Sequence, residues 1–134
     1  MTLNEYLQGV TGKGVLATAD ASGKVDAAIY SKPHIMADGE LAFIMRDHLT
    51  HHNIGSNPYA TYLFIEDGPH YNGIRLFLKK VREDEDPDLI ATLTRRHLSP
   101  ELDKAKGPKF VVYFVLEKIL PLIGSEETGI QLML

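Results

Sequence analysis

The chain has 134 residues, which suits one domain built around a single core. Its formal charge of −4 and pI near 5.8 argue against a surface for nucleic acid or anionic membrane. Cysteine is absent, which excludes disulfides, thiolate metal sites and cysteine nucleophiles. No apolar run approaches the roughly 18 residues of a membrane span. The opening MTLNEYLQGV carries no basic, apolar leader, so no signal peptide and a cytoplasmic location are expected.

Thr2-Leu3-Asn4-Glu5 has the capping-box pattern, and Leu3, Tyr6, Leu7 and Val10 then share one helical face. Gly9 and Gly12 are expected to end this N-terminal helix, within residues 1–12. Residues 14–19 read as a strand and residues 20–24 as a hairpin loop. Two apolar runs follow, 25–36 and 41–45, flanking the turn Ala37-Asp38-Gly39-Glu40. A short histidine-rich helix should come next and stop at Ser56-Asn57-Pro58. Strands are expected at 59–65, 76–81 and 110–116, with EDGPHY (66–71) as a loop and 82–86 as a solvated strand end. Asp86-Pro87 reads as a helix start, with Leu89, Ile90, Leu93 and His97 on its buried face. Ser99-Pro100 should stop that helix, leaving 101–106 as a connector that can form a further helical turn.

Several of these strands are apolar at both parities, 110–116 most clearly, so they are expected to be covered on both sides. With short hairpins and few helices, the economical arrangement is a small closed antiparallel barrel. Its outer face then needs helices or a second subunit, and the helices look too few, which points to a homodimer. The segment 121–134 ends in Ile130, Leu132, Met133 and Leu134, too apolar for a solvated tail, and should dock on the body or on a partner. The whole of 1–134 reads as one domain.

Chemistry concentrates in 25–66. His48, His51 and His52 are spaced to share a helical face, which allows metal ligation, but the adjacent turn holds no Asp or Glu to complete a ligand set. With Asp47 or Thr50 as N-cap, His51 and His52 would stand in the first turn near free N–H groups, where an anion is welcome. As an inert alternative, these histidines are merely solvated. In Tyr30-Ser31-Lys32-Pro33, the proline must sit at an edge or bulge, where a broken ladder offers backbone to a ligand or simply protects an edge. Arg46 ends the second hairpin strand and could fork onto a phosphate, or pair with Asp47 or Glu40. No Ser-His-Asp order, P-loop or GxGxxG is present.

Gly14-Val15-Leu16-Ala17-Thr18, Ile29-Tyr30-Ser31-Lys32-Pro33, Leu41-Ala42-Phe43, His52-Asn53-Ile54 and Ser56-Asn57-Pro58-Tyr59-Ala60 together resemble the pyridoxamine 5'-phosphate oxidase-like family of FMN-binding split barrels. The resemblance covers residues 10–80 and rests on the order and spacing of several loose motifs. It implies a mostly β fold with short helices, a six-stranded antiparallel split β-barrel, and a homodimer holding FMN at the subunit interface. It also implies a phosphate gripped by a basic residue ending the second hairpin strand, here Arg46, and by a lysine opening the short helix. That lysine position falls on Thr50, a departure from the pattern, with His51 and His52 beside it to compensate. The cofactor-binding set so implied is Tyr30, Ser31, Lys32, Pro33, Met45, Arg46, Asp47, Thr50, His51 and His52, with the strand bearing Ser31, Lys32 and Pro33 lying along the flavin ring. The expected function is that of a flavin-dependent oxidoreductase of unknown substrate. A non-catalytic flavin or electron carrier is the alternative, as is a haem-binding barrel, since superfamily members also bind haem or a deazaflavin. No catalytic acid or base is singled out.

Overall fold

The computed structural model describes residues 1–95 and 98–133, so the expected places of His97 and Leu134 lie outside the described residues. In chain order the elements are α1 (Leu3–Gly9), β1 (Gly12–Ala19), β2 (Val25–Ile29), β3 (His34–Ile35), β4 (Leu41–Arg46) and α2 (Leu49–Ser56). They continue with β5 (Tyr59–Glu66), β6 (Gly73–Asp84), α3 (Pro87–Leu93), α4 (Pro100–Ala105) and β7 (Lys109–Pro121). The strands form one sheet in the order β2-β1-β5-β6-β7-β4-β3, and every pairing is antiparallel.

The two edges of that sheet, β2 and β3, are consecutive in sequence and joined only by residues 30–33. So short a link spans about 18 Å at most from Ile29 to His34, so the sheet must curl until its edges approach. The result is a barrel split between β2 and β3. Two expectations are corrected here: the barrel is not closed, and seven strands form the sheet where six were expected. Pro33 has no N–H to donate, so the apolar run 25–36 cannot continue as one strand, and its far end becomes the two-residue β3.

Alternate residues of β1, β4, β5, β6 and β7 point inward and make the main core. Phe43 stands at its centre, with ring centroids 5.3 Å from Tyr62 and 5.6 Å from Phe114. Helix α1 closes one end of the barrel with Leu3 and Leu7, and its capping box forms as expected, Thr2 and Glu5 bonding reciprocally at 3.0 and 3.2 Å. The tail docks beside it. Leu3 N–H donates to the Gln131 carbonyl, Ile130 and Leu132 pack against the core, and Leu132 and Met133 press on Gly39 in the β3–β4 turn. Gly39 takes φ +87°, a conformation that favours glycine.

Outside the barrel, α3 lays Leu89, Ile90 and Leu93 over Ala42, Val111 and Tyr113. The two-sided apolar pattern of β4 and β7 is thus explained within the chain. Ser99-Pro100 does not stop a helix as expected: it starts α4, with Ser99 as N-cap and Pro100 in the first turn. On the other side of the barrel the outer face of β2, β1 and β5 stays uncovered, with Val25 84% and Ile29 75% exposed. Among the described residues no helix is long and apolar enough to cross a membrane.

Candidate functional site

A cleft of about 560 Å³ opens where the barrel splits. Its floor is β2, β4 and the linker between β2 and β3, one side is α2, and the other is the segment after α3 together with the α4–β7 turn. Among the described residues its lining contains Lys32, Arg46, Arg95, Lys106 and Lys109, with His34 and His48, and no aspartate or glutamate. A chain of net charge −4 therefore gathers five of its formal cations around one cleft. Such a surface concentrates anions.

Tyr30 is held at the split by its neighbours. The Tyr62 phenol donates to the Tyr30 carbonyl at 3.1 Å, and β1 passes so close that Gly14 is the only residue type that fits there. A Cβ at Gly14 would fall 1.9 Å from the Tyr62 oxygen. Burial pushes the Tyr30 phenol up, and the Thr50 hydroxyl beside it partly offsets that rise. Thr50 is itself buried on the first turn of α2. The buried Asn53, one turn on, donates to Thr18 at 3.1 Å and ties α2 to β1. Burial and the neighbouring Arg95 both depress His34, which favours its neutral imidazole.

Lys32 lines the cleft, but its ammonium is bonded to the carbonyls of Leu7 and Val10, where it caps the C-terminus of α1. Ser31 lines the cleft as well, while Pro33 is buried outside it. Met45 points into the barrel core at 1% exposure. Arg46 reaches the cleft from the end of β4, paired neither with Asp47 nor with Glu40: its guanidinium meets the Asp103 carboxylate at 2.7 Å. Glu40 instead pairs with Arg82 at 2.8 Å.

Helix α2 is capped by His48, whose side chain makes no cap hydrogen bond, so neither Asp47 nor Thr50 takes the expected N-cap role. Asp47 turns to the histidines, 2.8 Å from His51 Nδ1 and 3.1 Å from His52 Nε2. The His51 bond holds the Asp47 carboxyl below its usual range, with His52 adding to the effect. The other ring nitrogen of His51 meets Glu83 at 3.1 Å, and its ring stacks on Phe110 at 4.1 Å. Of the ten implied site residues, the fold brings Tyr30, Ser31, Lys32, Arg46 and Thr50 to the cleft, and leaves Pro33, Met45, Asp47, His51 and His52 off its lining. Sequence reasoning missed His34, Arg95, Lys106 and Lys109. None of the four carries a signal along the chain; Lys109 emerges only once the β4–β7 pairing sets it opposite Arg46.

An antiparallel split barrel with a cation-lined cleft at the split is the class of protein that fold and site define. No family model matches the chain, and no curated protein matches it. Among solved structures, an FMN-binding protein from Syntrophomonas wolfei superposes with TM-score 0.71 at 17% identity, over 90% of this chain and 83% of that one. HupZ from Group A Streptococcus superposes with TM-score 0.68 at 18% identity, over 96% and 100%. A protein provisionally named a pyridoxamine 5'-phosphate oxidase, from Lactobacillus delbrueckii, gives 0.63 at 18%, over 90% and 93%. The chain has the split-barrel fold of the pyridoxamine 5'-phosphate oxidase-like proteins.

Proposed function

We propose that this protein is a homodimeric FMN-binding oxidoreductase whose flavin lies in the cleft at the split. The observation that carries the reading is the lining, which among the described residues holds five formal cations and no carboxylate in a chain of net charge −4, with Asp103 paired to two of the cations from outside it. A flavin phosphate fits that charge, and the aromatic and aliphatic floor of Tyr30, Ala28 and Phe43 fits a flat ring system. Arg46 would hold the phosphate, and residues 30–32 would border the ring. When bound, FMN supplies the redox chemistry. The chain's own part is to bind, orient and shield it: Tyr62 fixes the Tyr30 carbonyl, and Thr50 sits beside the Tyr30 phenol. His34, favoured as the neutral imidazole by burial and Arg95, can offer the cleft a hydrogen bond without adding charge.

A dimer is supported by the uncovered apolar face of β2, β1 and β5, where Ile29, Val15 and Leu63 form a cross-strand row. Exposed apolar sheet of this kind marks an association surface.

The test is a titration of FMN and riboflavin, followed by flavin absorbance and fluorescence, against wild type and Arg46→Ala. FMN should bind wild type with bands near ~450 nm, and Arg46→Ala should lose about ten- to a hundredfold, the worth of one charge-assisted hydrogen bond. Riboflavin, with no phosphate, should change far less. No binding of either flavin by wild type defeats the reading.

A further inference from the structure

Arg46 and Lys109 stand opposite each other across the β4–β7 ladder. Like charges on paired strands repel, and these two side chains are only 16% and 15% exposed, so water screens them poorly. They share one counter-ion. A single oxygen of Asp103, Oδ1, lies 2.7 Å from Arg46 Nη2 and 2.9 Å from Lys109 Nζ. Arg46 Nη1 donates besides to the carbonyls of Asp103 at 3.1 Å and Gly107 at 2.8 Å. The bond from Lys109, and then that from Arg46, hold the Asp103 carboxyl below its usual range.

The element that brings this carboxylate is weakly fastened. Helix α4 has no buried residue, and the Asp103 side chain is 41% exposed. Asp103 itself is not on the cleft lining. It faces the neighbouring crevice between α3 and α4, with Lys109 on the wall between the two. An oxygen anion thus sits on two half-buried cations at the end of an anion-attracting cleft, carried by a helix that can leave at small cost.

We infer that Arg46 and Lys109 form a two-cation site for the phosphate monoester of the cleft ligand, and that Asp103 occupies it as a stand-in which the phosphate displaces. The identity of the ligand rests on the flavin reading above, whereas the site itself rests on the geometry of these three side chains. Lys109 supplies from β7 the second cation that Thr50 does not bring from α2. The exchange has the right sign: a phosphate monoester brings about −1.5 to −2 charges near pH 7, and the carboxylate it replaces brings one. The freed carboxylate is rehydrated at the surface, and Arg46 keeps a charged partner throughout.

Inorganic phosphate is the probe, titrated calorimetrically at low ionic strength into wild type, Asp103→Asn and Lys109→Gln. Asparagine keeps the shape of the stand-in and removes its charge, so Asp103→Asn should bind phosphate about tenfold more tightly than wild type, a competing charged contact being lost. Lys109→Gln should bind it about tenfold more weakly, a charged contact to phosphate being lost. Unchanged or weaker binding by Asp103→Asn, or unchanged binding by Lys109→Gln, overturns the inference. FMN titrated into the same three proteins should follow phosphate, while riboflavin stays level. A phosphate response without flavin binding removes the flavin reading and leaves the anion site. Flavin binding without the phosphate response does the reverse.

Discussion

Gly14→Ala is the change to which the split should be most sensitive. An alanine methyl there would fall 1.9 Å from the Tyr62 oxygen, 2.4 Å from its ring carbon Cζ and 2.6 Å from the Tyr30 carbonyl oxygen. Comfortable contacts are about 3.5–4.0 Å. The Tyr62 ring has no room to yield, being fully buried with Phe43 5.3 Å away. The methyl must therefore break the bond between the Tyr62 phenol and the Tyr30 carbonyl, or push β1 off β5. Overpacking of this kind costs about 1–3 kcal/mol. Leaving a buried phenol unpaired costs about 1–3 kcal/mol more. The stiffer unfolded chain of alanine returns about 0.4–1 kcal/mol. The net loss is then roughly 2–5 kcal/mol, which for a chain of this size lowers the melting temperature by roughly 3–5 °C per kcal/mol. Urea unfolding and thermal melting read it directly. Tyr62→Phe removes only the hydrogen bond and should lose less. Adding Tyr62→Phe to Gly14→Ala should not restore stability, because the Cζ contact remains. A loss below about 1 kcal/mol for Gly14→Ala, with flavin affinity intact, would mean that β1 and β5 slide apart easily and that the split is not held by this contact.

Other outcomes follow from the same structure. Deleting residues 129–134 removes Ile130 and Leu132 from the core and the Gln131 bonds to the first residues. Taking their partial burial into account, stability should fall by roughly 2–4 kcal/mol, visible as a lower melting temperature. The Asp103 and Asp47 carboxyls are both held below their usual range, by Lys109 and His51 first, so each contributes stability that is present above the ordinary carboxylate pKa and lost as pH falls through its depressed value. Protection of the α4 amides, read as hydrogen exchange relative to the intrinsic rate at each pH, should therefore be modest above about pH 4 and fall below it in wild type. In Asp103→Asn it should be lower at neutral pH and flat with pH; equal protection in the two proteins would refute the role given to the ion pair. Ile29→Asp places a charge on the exposed apolar row of β2 and should convert a sedimenting dimer to monomer without lowering the melting temperature of the monomer. Wild type sedimenting at one chain mass at micromolar concentration would remove the dimer.

Much of this molecule could be read along the chain. Sequence patterns of one or two turns set α1 through its capping box, the start of α3 at Asp86-Pro87, and most of the strands. They also marked 25–36 as a run that Pro33 must interrupt, and Arg46 as a cation at a strand end. These are local matters, governed by backbone donors, side-chain periodicity and turn conformation, and neighbours in sequence are enough to decide them.

The site was decided elsewhere. That β2 and β3 form the two lips of the barrel depends on how seven strands pair, and no single strand encodes it. His51 looked like an anion contact beside a helix start, but Glu83 and Phe110, 32 and 59 residues further on, close around its ring. Arg46 was expected to meet a phosphate or to pair with Asp47 or Glu40, and Asp103, 57 residues away, takes its guanidinium. Lys109 drew no reading from the sequence, and the β4–β7 register sets it against Arg46. Electrostatic partners act through space over a few ångströms and carry no periodicity. The sequence by itself therefore determined most of the elements, the fold class and which residues bear charge, while the tertiary structure alone decided which of those charges meet.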